Sequence, residues 1–239
     1  MLFRSAALVG HANLTLGERV AAVLDALQAA SPNRFCGIRH NVMWDPHPEV
    51  DSRAQPGTLA SPAFRAGARV LALRGLSFDT FLYFPQLPEL TAFAEAVPDL
   101  PIILNHIGGL LRIGPYANRD AEVLAAWRRG IAAVARSPNV FIKLGGMGMP
   151  WTGFDWHTRS KPIGSEELAT AMAPFLTYCI AQFGPDRCMF ESNFPPDKVS
   201  FSHHVLFNAF KRLSTGYSAA ERAALFQDTA VRAYRISEA

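Results

Sequence analysis

A histidine near the middle of the chain has the surroundings of a proton-transferring residue. His106 lies near the end of the apolar run PIILNHIGG, residues 101–109, and Gly108 and Gly109 follow it. Glycines at such a place let a small ligand approach the backbone closely. Imidazole changes charge near neutral pH and can therefore take up or release a proton during a reaction. A lone histidine can also be a buried hydrogen-bonding residue, but this position at the end of an apolar run favours contact with a ligand.

Other apolar runs also end in polar residues. Arg39 could bind a carboxylate in bidentate fashion or could form an ion pair at the rim of the fold. Histidines at comparable places could contact a ligand or could serve only as structural residues. The candidates at these ends are His11, Arg39, His40, Tyr83, Lys143 and Asn193.

Two charged residues are expected to meet inside the sheet. Residues two apart on a strand share a face, so Glu191 lies one layer below Asn193. Lys143 lies on the preceding apolar run, and we expect it to form a buried ion pair with Glu191. A buried pair loses several kcal/mol when one partner is removed. The pair could be structural or could orient a substrate.

The elements that position these residues alternate between strand and helix. Six short, continuously apolar runs separated by helical patterns predict a parallel sheet covered on both faces, in an α/β fold. Ligands bind at the carboxyl ends of the strands in such folds. Capping boxes are expected at Thr15–Glu18 and Ser218–Glu221. The long loop 145–164 is expected to be functional, because unstructured loops of that length are uncommon in compact domains.

The composition limits the function classes. The chain has 239 residues, 49% of them hydrophobic and 18% charged, with a net charge of +3. These values predict one globular domain over residues 1–239, no nucleic-acid partner and a cytoplasmic location. No apolar stretch is long enough for a membrane span. The three cysteines lie far apart, and Cys36 and Cys188 are expected to be small buried residues. The sequence lacks GxSxG, HExxH and His-x-His motifs.

Taken together, GIRH, SFDTFLYFPQLPEL, ILNHIGG, NVFIKLGGMGM and FGPDRCMFESNFPPDK resemble the amidohydrolase-related (amidohydrolase 2) family, in its lactonase branch. The resemblance covers nearly the whole chain. It implies a (β/α)8 TIM-barrel-like fold, of which this chain holds about six βα units, strands three to eight of the family. The chain is therefore expected to be truncated at its N-terminus relative to that family.

The resemblance also implies a function and a set of residues. It implies a hydrolase that opens a small carboxylated lactone or related ester by water attack, with His106 at the position of the family's histidine. The residues expected to be catalytic are His106, Asn193 and Asp197. Asn193 falls where many members carry an aspartate, and the His-x-His strand has no counterpart; no metal or other cofactor is expected. The residues expected to bind substrate are His11, Arg39, His40, Tyr83, Lys143 and Glu191. Alternatives are an inactive barrel remnant and a metal-dependent decarboxylase, and a homo-oligomer is left open.

Overall fold

A computed structural model describes residues 5–236, which form a parallel sheet surrounded by helices. The sheet has six strands that pair in their order along the chain. The predicted α/β class and the six βα units are confirmed. Within the described residues the sheet has two ends instead of closing into a cylinder. The strands are β1 (Leu8–Gly10), β2 (Phe35–Arg39), β3 (Ser77–Thr80), β4 (Ile102–Leu104), β5 (Val140–Leu144) and β6 (Cys188–Phe190).

A helix follows each of the six strands. The last helical stretch, residues 219–234, is interrupted by a five-residue π-helical segment, Ala224–Asp228. No helix among residues 5–236 is long and apolar enough to cross a membrane. The α-helices between and after the strands are Val20–Ala30, Pro62–Leu73, Leu87–Ala96, Asp120–Val134, Ser165–Phe183, His203–Leu213, Ala219–Ala223 and Thr229–Tyr234.

One capping prediction is wrong and the other is confirmed. The segment Leu14–Arg19 is a 3-10 helix capped by Asn13, whose side chain accepts the backbone N–H of Thr15, so Thr15 does not act as the cap. Asparagine is as good a cap as threonine, and it stands two positions earlier. At the other end of the chain, Ser218 and Glu221 form the reciprocal capping box.

The main core lies between the sheet and the helices. Ile38, Phe78, Ile102 and Val140 form one row across neighbouring strands, and all four are fully buried. Helix side chains complete this core, and Phe78 is 5.6 Å from the ring of Phe93 in an edge-to-face arrangement. Such contacts stabilise the fold by about 0.5–1.5 kcal/mol beyond the effect of the area that the rings bury.

The opposite face of the sheet carries the polar residues. The next row across the strands runs Arg39, Asp79, Ile103 and Phe141. Ile103 belongs to a small second cluster with Tyr234 of the last helix. Because successive strand residues point to opposite faces, this row and its extensions face away from the main core. The candidate site therefore lies on this face and at the carboxyl ends of its strands.

Candidate active site

The centre of the candidate site is a hydrogen-bonded imidazole–carboxylate pair. His106 follows β4, and Glu191 follows β6. The Nδ1 atom of His106 is 2.6 Å from Oε1 of Glu191, and the backbone N–H of His106 donates to the same oxygen at 3.0 Å. A carboxylate in this position fixes the imidazole tautomer with the proton on Nδ1 and stabilises the imidazolium when it forms.

The backbone that presents His106 adopts an unusual conformation. His106 and Ile107 have φ angles of 56° and 49°, and Gly108 and Gly109 continue the left-handed run. Such angles are costly for residues with a side chain and are found most often where the surrounding structure enforces them. Here the indole N–H of Trp127 donates to the carbonyl of Ile107 at 2.8 Å, which anchors the turn.

Arg39 contacts the other side of the imidazole. Its Nη2 is 3.2 Å from Nε2 of His106, and its Nε donates to Oδ1 of Asn41 at 3.0 Å. The guanidinium is only partly buried. It lies beside a cavity of about 620 Å³, whose lining residues include His11, Asn13, Arg39, His40, Asn41 and Arg53. This cavity carries cationic and amide groups suited to an anionic or carboxylated ligand.

The carboxyl of Glu191 remains ionised. Burial alone would raise its pKa, but the charge of His106, the hydrogen bonds from His106 and the charge of Lys143 outweigh burial and lower the pKa to about 2. A carboxyl that gains a cation and several donors keeps its charge even when water is excluded. Glu191 is therefore a permanent anion beside His106 at neutral pH.

A second buried carboxyl lies a short distance along the same segment. The side chain of Asn193 donates to Oδ1 of Asp197 at 2.7 Å, and the backbone N–H of Gly148 donates to Oδ2 at 3.2 Å. Asp197 is fully buried, and this burial raises its pKa to about 6 although both donors oppose the shift. Asn193 itself has a φ of 49°, so its backbone is also held in the left-handed region.

A glycine-rich segment after β5 allows these groups to come together. A Cβ at Gly145 would lie 2.5 Å from Cγ of Glu191, and one at Gly146 would lie 2.5 Å from Cβ of His106. Gly148 has the same relation to Asp197, whose Cγ would be 2.9 Å away. Side chains at these positions would displace both acidic residues and the histidine. These glycines stand at the start of loop 145–164, whose functional role stays a prediction.

Three predicted site residues form hydrogen bonds with backbone groups around the His106–Glu191 pair. The ring Nδ1 of His40 accepts the backbone N–H of Leu14 at 3.2 Å, and burial, followed by the charge of His11, lowers the pKa of His40 to about 4. His11 is exposed, with Nδ1 2.9 Å from the carbonyl of Arg39. Tyr83 is buried and donates to the carbonyl of Asp51. Their substrate-binding roles stay predictions.

The expected ion pair between Lys143 and Glu191 is wrong. The ammonium of Lys143 contacts Oδ2 of Asp79 at 2.7 Å, and Glu191 pairs with His106 instead. The reason is the position of the two carboxylates, since Asp79 lies on the same polar face and also accepts the hydroxyl of Tyr234. Sequence reasoning assigned no role to Asp79. Its presence as an acidic residue inside an apolar strand was the signal that could have revealed it.

The fold and the site together define an enzyme-like α/β scaffold with an acid–base pair at the carboxyl ends of its strands. The amidohydrolase family model matches residues 3–236. The chain therefore belongs to the amidohydrolase family, as the sequence motifs predicted.

Individual relatives extend this assignment. An uncharacterized protein of Sinorhizobium fredii is 37% identical over 202 residues, which cover 84% of this chain and 61% of the relative. An L-fucono-1,5-lactonase of Burkholderia multivorans is 28% identical over 98% of this chain and 73% of its own length. A crystal structure of a B. multivorans amidohydrolase with bound zinc matches with a TM-score of 0.76 and 26% identity, over 97% of this chain and 74% of that one. The chain thus spans less than two thirds of the first of these relatives.

Proposed function

We propose that this chain hydrolyses a small carboxylated lactone or a related ester by water attack, without a bound metal. The observation that carries the proposal is the 2.6 Å contact between His106 and Glu191, with Arg39 on the opposite ring nitrogen. The similarity to an L-fucono-1,5-lactonase supports a cyclic ester as the substrate class.

The residues present do not suit a divalent cation. Both ring nitrogens of His106 are engaged, one by Glu191 and the other by the guanidinium of Arg39. A cation at Nε2 would need the lone pair that Arg39 contacts and would be repelled by its charge. Within residues 5–236, no group of three or more His, Cys, Asp or Glu side chains is arranged to hold a metal ion.

The geometry supports a direct role for the imidazole. Glu191 keeps the proton of His106 on Nδ1, so Nε2 can accept a proton from water. Arg39 now donates to Nε2, and a substrate carboxylate that binds Arg39 would draw the guanidinium away from it. Substrate binding and activation of the base are thereby linked.

The same residues can carry out the attack of water and the opening of the ring. Water oxygen attacks the acyl carbon while its proton passes to Nε2 of His106, and the ring C–O bond then breaks. The proton returns from Nε2 to the departing ring oxygen, which gives a hydroxy acid. Asn193 orients the attacking water through its Oδ1, because Asp197 holds its Nδ2.

An assay of the purified chain tests this function. We expect turnover of carboxylated and sugar lactones that a chelator does not reduce. His106→Ala should lose at least about 100-fold in kcat, the lower range for a general base. His204→Ala, which changes an exposed histidine of the helix His203–Leu213, is the matched control and should retain full activity.

Three results would count against parts of the proposal. Activity abolished by the chelator would show that a metal is required. Full activity in His106→Ala would remove the histidine from the mechanism. A folded wild-type chain without turnover on any lactone would favour the inactive remnant.

A further inference from the structure

A buried carboxylate, Asp79, and a partly buried one, Glu191, both lie near a single lysine. Lys143 is on β5, Asp79 is on β3, and Glu191 directly follows β6, the strand next to β5. The ammonium contacts Asp79 at 2.7 Å. Burial raises the pKa of Glu191, whereas the charge of His106 and, to a smaller extent, the charge of Lys143 lower it. Lys143 lies opposite Met189 of β6, two positions before Glu191, so Lys143 and Glu191 share a face of the sheet while the ammonium is bound to Asp79.

The contacts of Asp79 explain why Lys143 stays there. Asp79 is 1% exposed, and its Oδ2 also accepts the hydroxyl of Tyr234 at 2.6 Å. The ammonium lies 5.5 Å from the centre of the Tyr234 ring, a distance at which the ring face attracts a cation. Burial raises the pKa of Tyr234, and the charge of Asp79 raises it further, so the hydroxyl keeps its proton and acts as the donor.

We propose that Asp79 and Tyr234 are positioning residues that hold Lys143 away from Glu191, so that this carboxylate serves His106 alone. The kinetic consequence rests on the proposed function, but the arrangement itself does not. An ammonium on Glu191 would compete for the oxygen that accepts the Nδ1 proton. Its charge would also offset the stabilisation of an imidazolium, and His106 would become a weaker base.

The other charged groups around His106 do not compete for the carboxylate of Glu191. Arg39 contacts Nε2 and is held by Asn41 on its own chain segment. Asp197 influences His106 only through charge and is bound by Asn193 and Gly148. Lys143 is therefore the cation whose placement decides whether Glu191 has a second partner.

Proton NMR of the imidazole tests the positioning without any need for turnover. A short hydrogen bond to a carboxylate should give a downfield Nδ1 proton signal, identified by its loss in His106→Ala. Asp79→Asn releases Lys143, and we expect the signal to move upfield or to broaden. The double variant Asp79→Asn, Lys143→Met lacks the competing cation and should recover the wild-type signal.

Two further variants complete the test. Tyr234→Phe removes one oxygen and keeps the ring packing, so it should fold and give a smaller upfield shift. Asp25→Asn removes an equal charge from the exposed helix Val20–Ala30 and should leave the signal unchanged. An unchanged signal in both Asp79→Asn and Tyr234→Phe would overturn the proposal. A double variant that matches Asp79→Asn would also overturn it.

Kinetics provide an independent reading. Asp79→Asn should lower kcat by roughly tenfold and leave KM within about twofold, because the carboxylate-binding Arg39 is untouched while the base is weakened. The double variant should match Lys143→Met alone. Equal kcat in Asp79→Asn and wild type would contradict the inference. Absence of turnover in every protein would count against the proposed function, while the NMR signals would still decide the placement of Lys143.

Discussion

Glu191 and Asp197 lie six positions apart after the same strand, and their surroundings shift their acidity in opposite directions. Glu191 has cationic neighbours, and its pKa falls to about 2. Asp197 is bound only by the neutral donors Asn193 and Gly148, and burial raises its pKa to about 6. Two carboxyls whose pKa values differ this much can fill different roles in one site. Glu191 is suited to stabilise positive charge, whereas Asp197 can hold a proton near neutral pH.

The largest effect is expected from removing the charge of Glu191. Glu191→Gln keeps the shape but replaces the anion with an amide, which cannot stabilise an imidazolium and can hold the wrong tautomer. We expect kcat to fall on the order of 1,000-fold, by analogy with neutralised carboxylates behind catalytic histidines. Steady-state kinetics on a lactone substrate provide the measurement. Glu95→Gln, which changes an exposed residue, is the control. An equal loss of kcat in both variants would contradict a specific role for the charge of Glu191.

Asp197 should be visible in the pH dependence of stability. Its pKa is raised from 3.8 to about 6 on folding, so the folded chain binds this proton more tightly than the unfolded chain. The resulting stability is fully present below pH 3.8 and is lost as the pH rises to about 6. The loss amounts to at most about 3 kcal/mol.

Asp197→Asn should remove this loss. The difference in free energy of unfolding between the wild type and the variant, measured with urea at several pH values, should therefore change across that window. A constant difference would contradict the assigned acidity. Glu191 provides the contrast, because its lowered pKa gives stability that is lost only as the pH falls from 4.5 toward 2.

His40 should oppose Asp197 over much of the same pH range. Its pKa is lowered from 6.5 to about 4, so the folded chain prefers the neutral ring, and the associated stability is lost as the pH falls through that interval. His40→Asn keeps an acceptor for the backbone N–H of Leu14 and removes the titration. We expect its unfolding free energy to gain roughly 2 kcal/mol at pH 4.5 relative to pH 7, compared with wild type. An identical pH profile in the variant would refute this.

The smallest effect concerns a residue behind Asp197. Ser200 donates to the carbonyl of Gly148 at 2.5 Å, and the N–H of Gly148 in turn contacts Asp197. Ser200→Ala should cost about 1 kcal/mol of stability, as expected for one buried hydrogen bond. Urea unfolding measures this cost. The pH window assigned to Asp197 should stay in place, and a shift of that window would show that Ser200 also tunes the carboxyl.

The sequence predicted the scaffold better than the pairings on it. The apolar runs identified all six strands, because each strand contributes a short hydrophobic run to the sheet. They also identified His106, Arg39 and Asn193 as candidates at the carboxyl ends. Which carboxylate binds Lys143 could not be read in this way, because the choice depends on Asp79 and on a hydroxyl 155 positions away in the chain.

The positive-φ turn at His106 was likewise outside the reach of sequence patterns. The glycines after it predicted close approach, but not that His106 and Ile107 would themselves be left-handed. That conformation depends on distant contacts, such as the one between Trp127 and the Ile107 carbonyl. Tertiary contacts of this kind override local preference.

The crowded glycines after β5 restrict which substitutions the candidate site can accept. Any residue larger than glycine at 145, 146 or 148 would collide with Glu191, His106 or Asp197. A library that randomises these three positions should therefore yield mostly variants in which the candidate site is disrupted. Substitutions at Arg53, beside the cavity, leave His106, Glu191 and Asp197 in place, so this position is a safer one to vary.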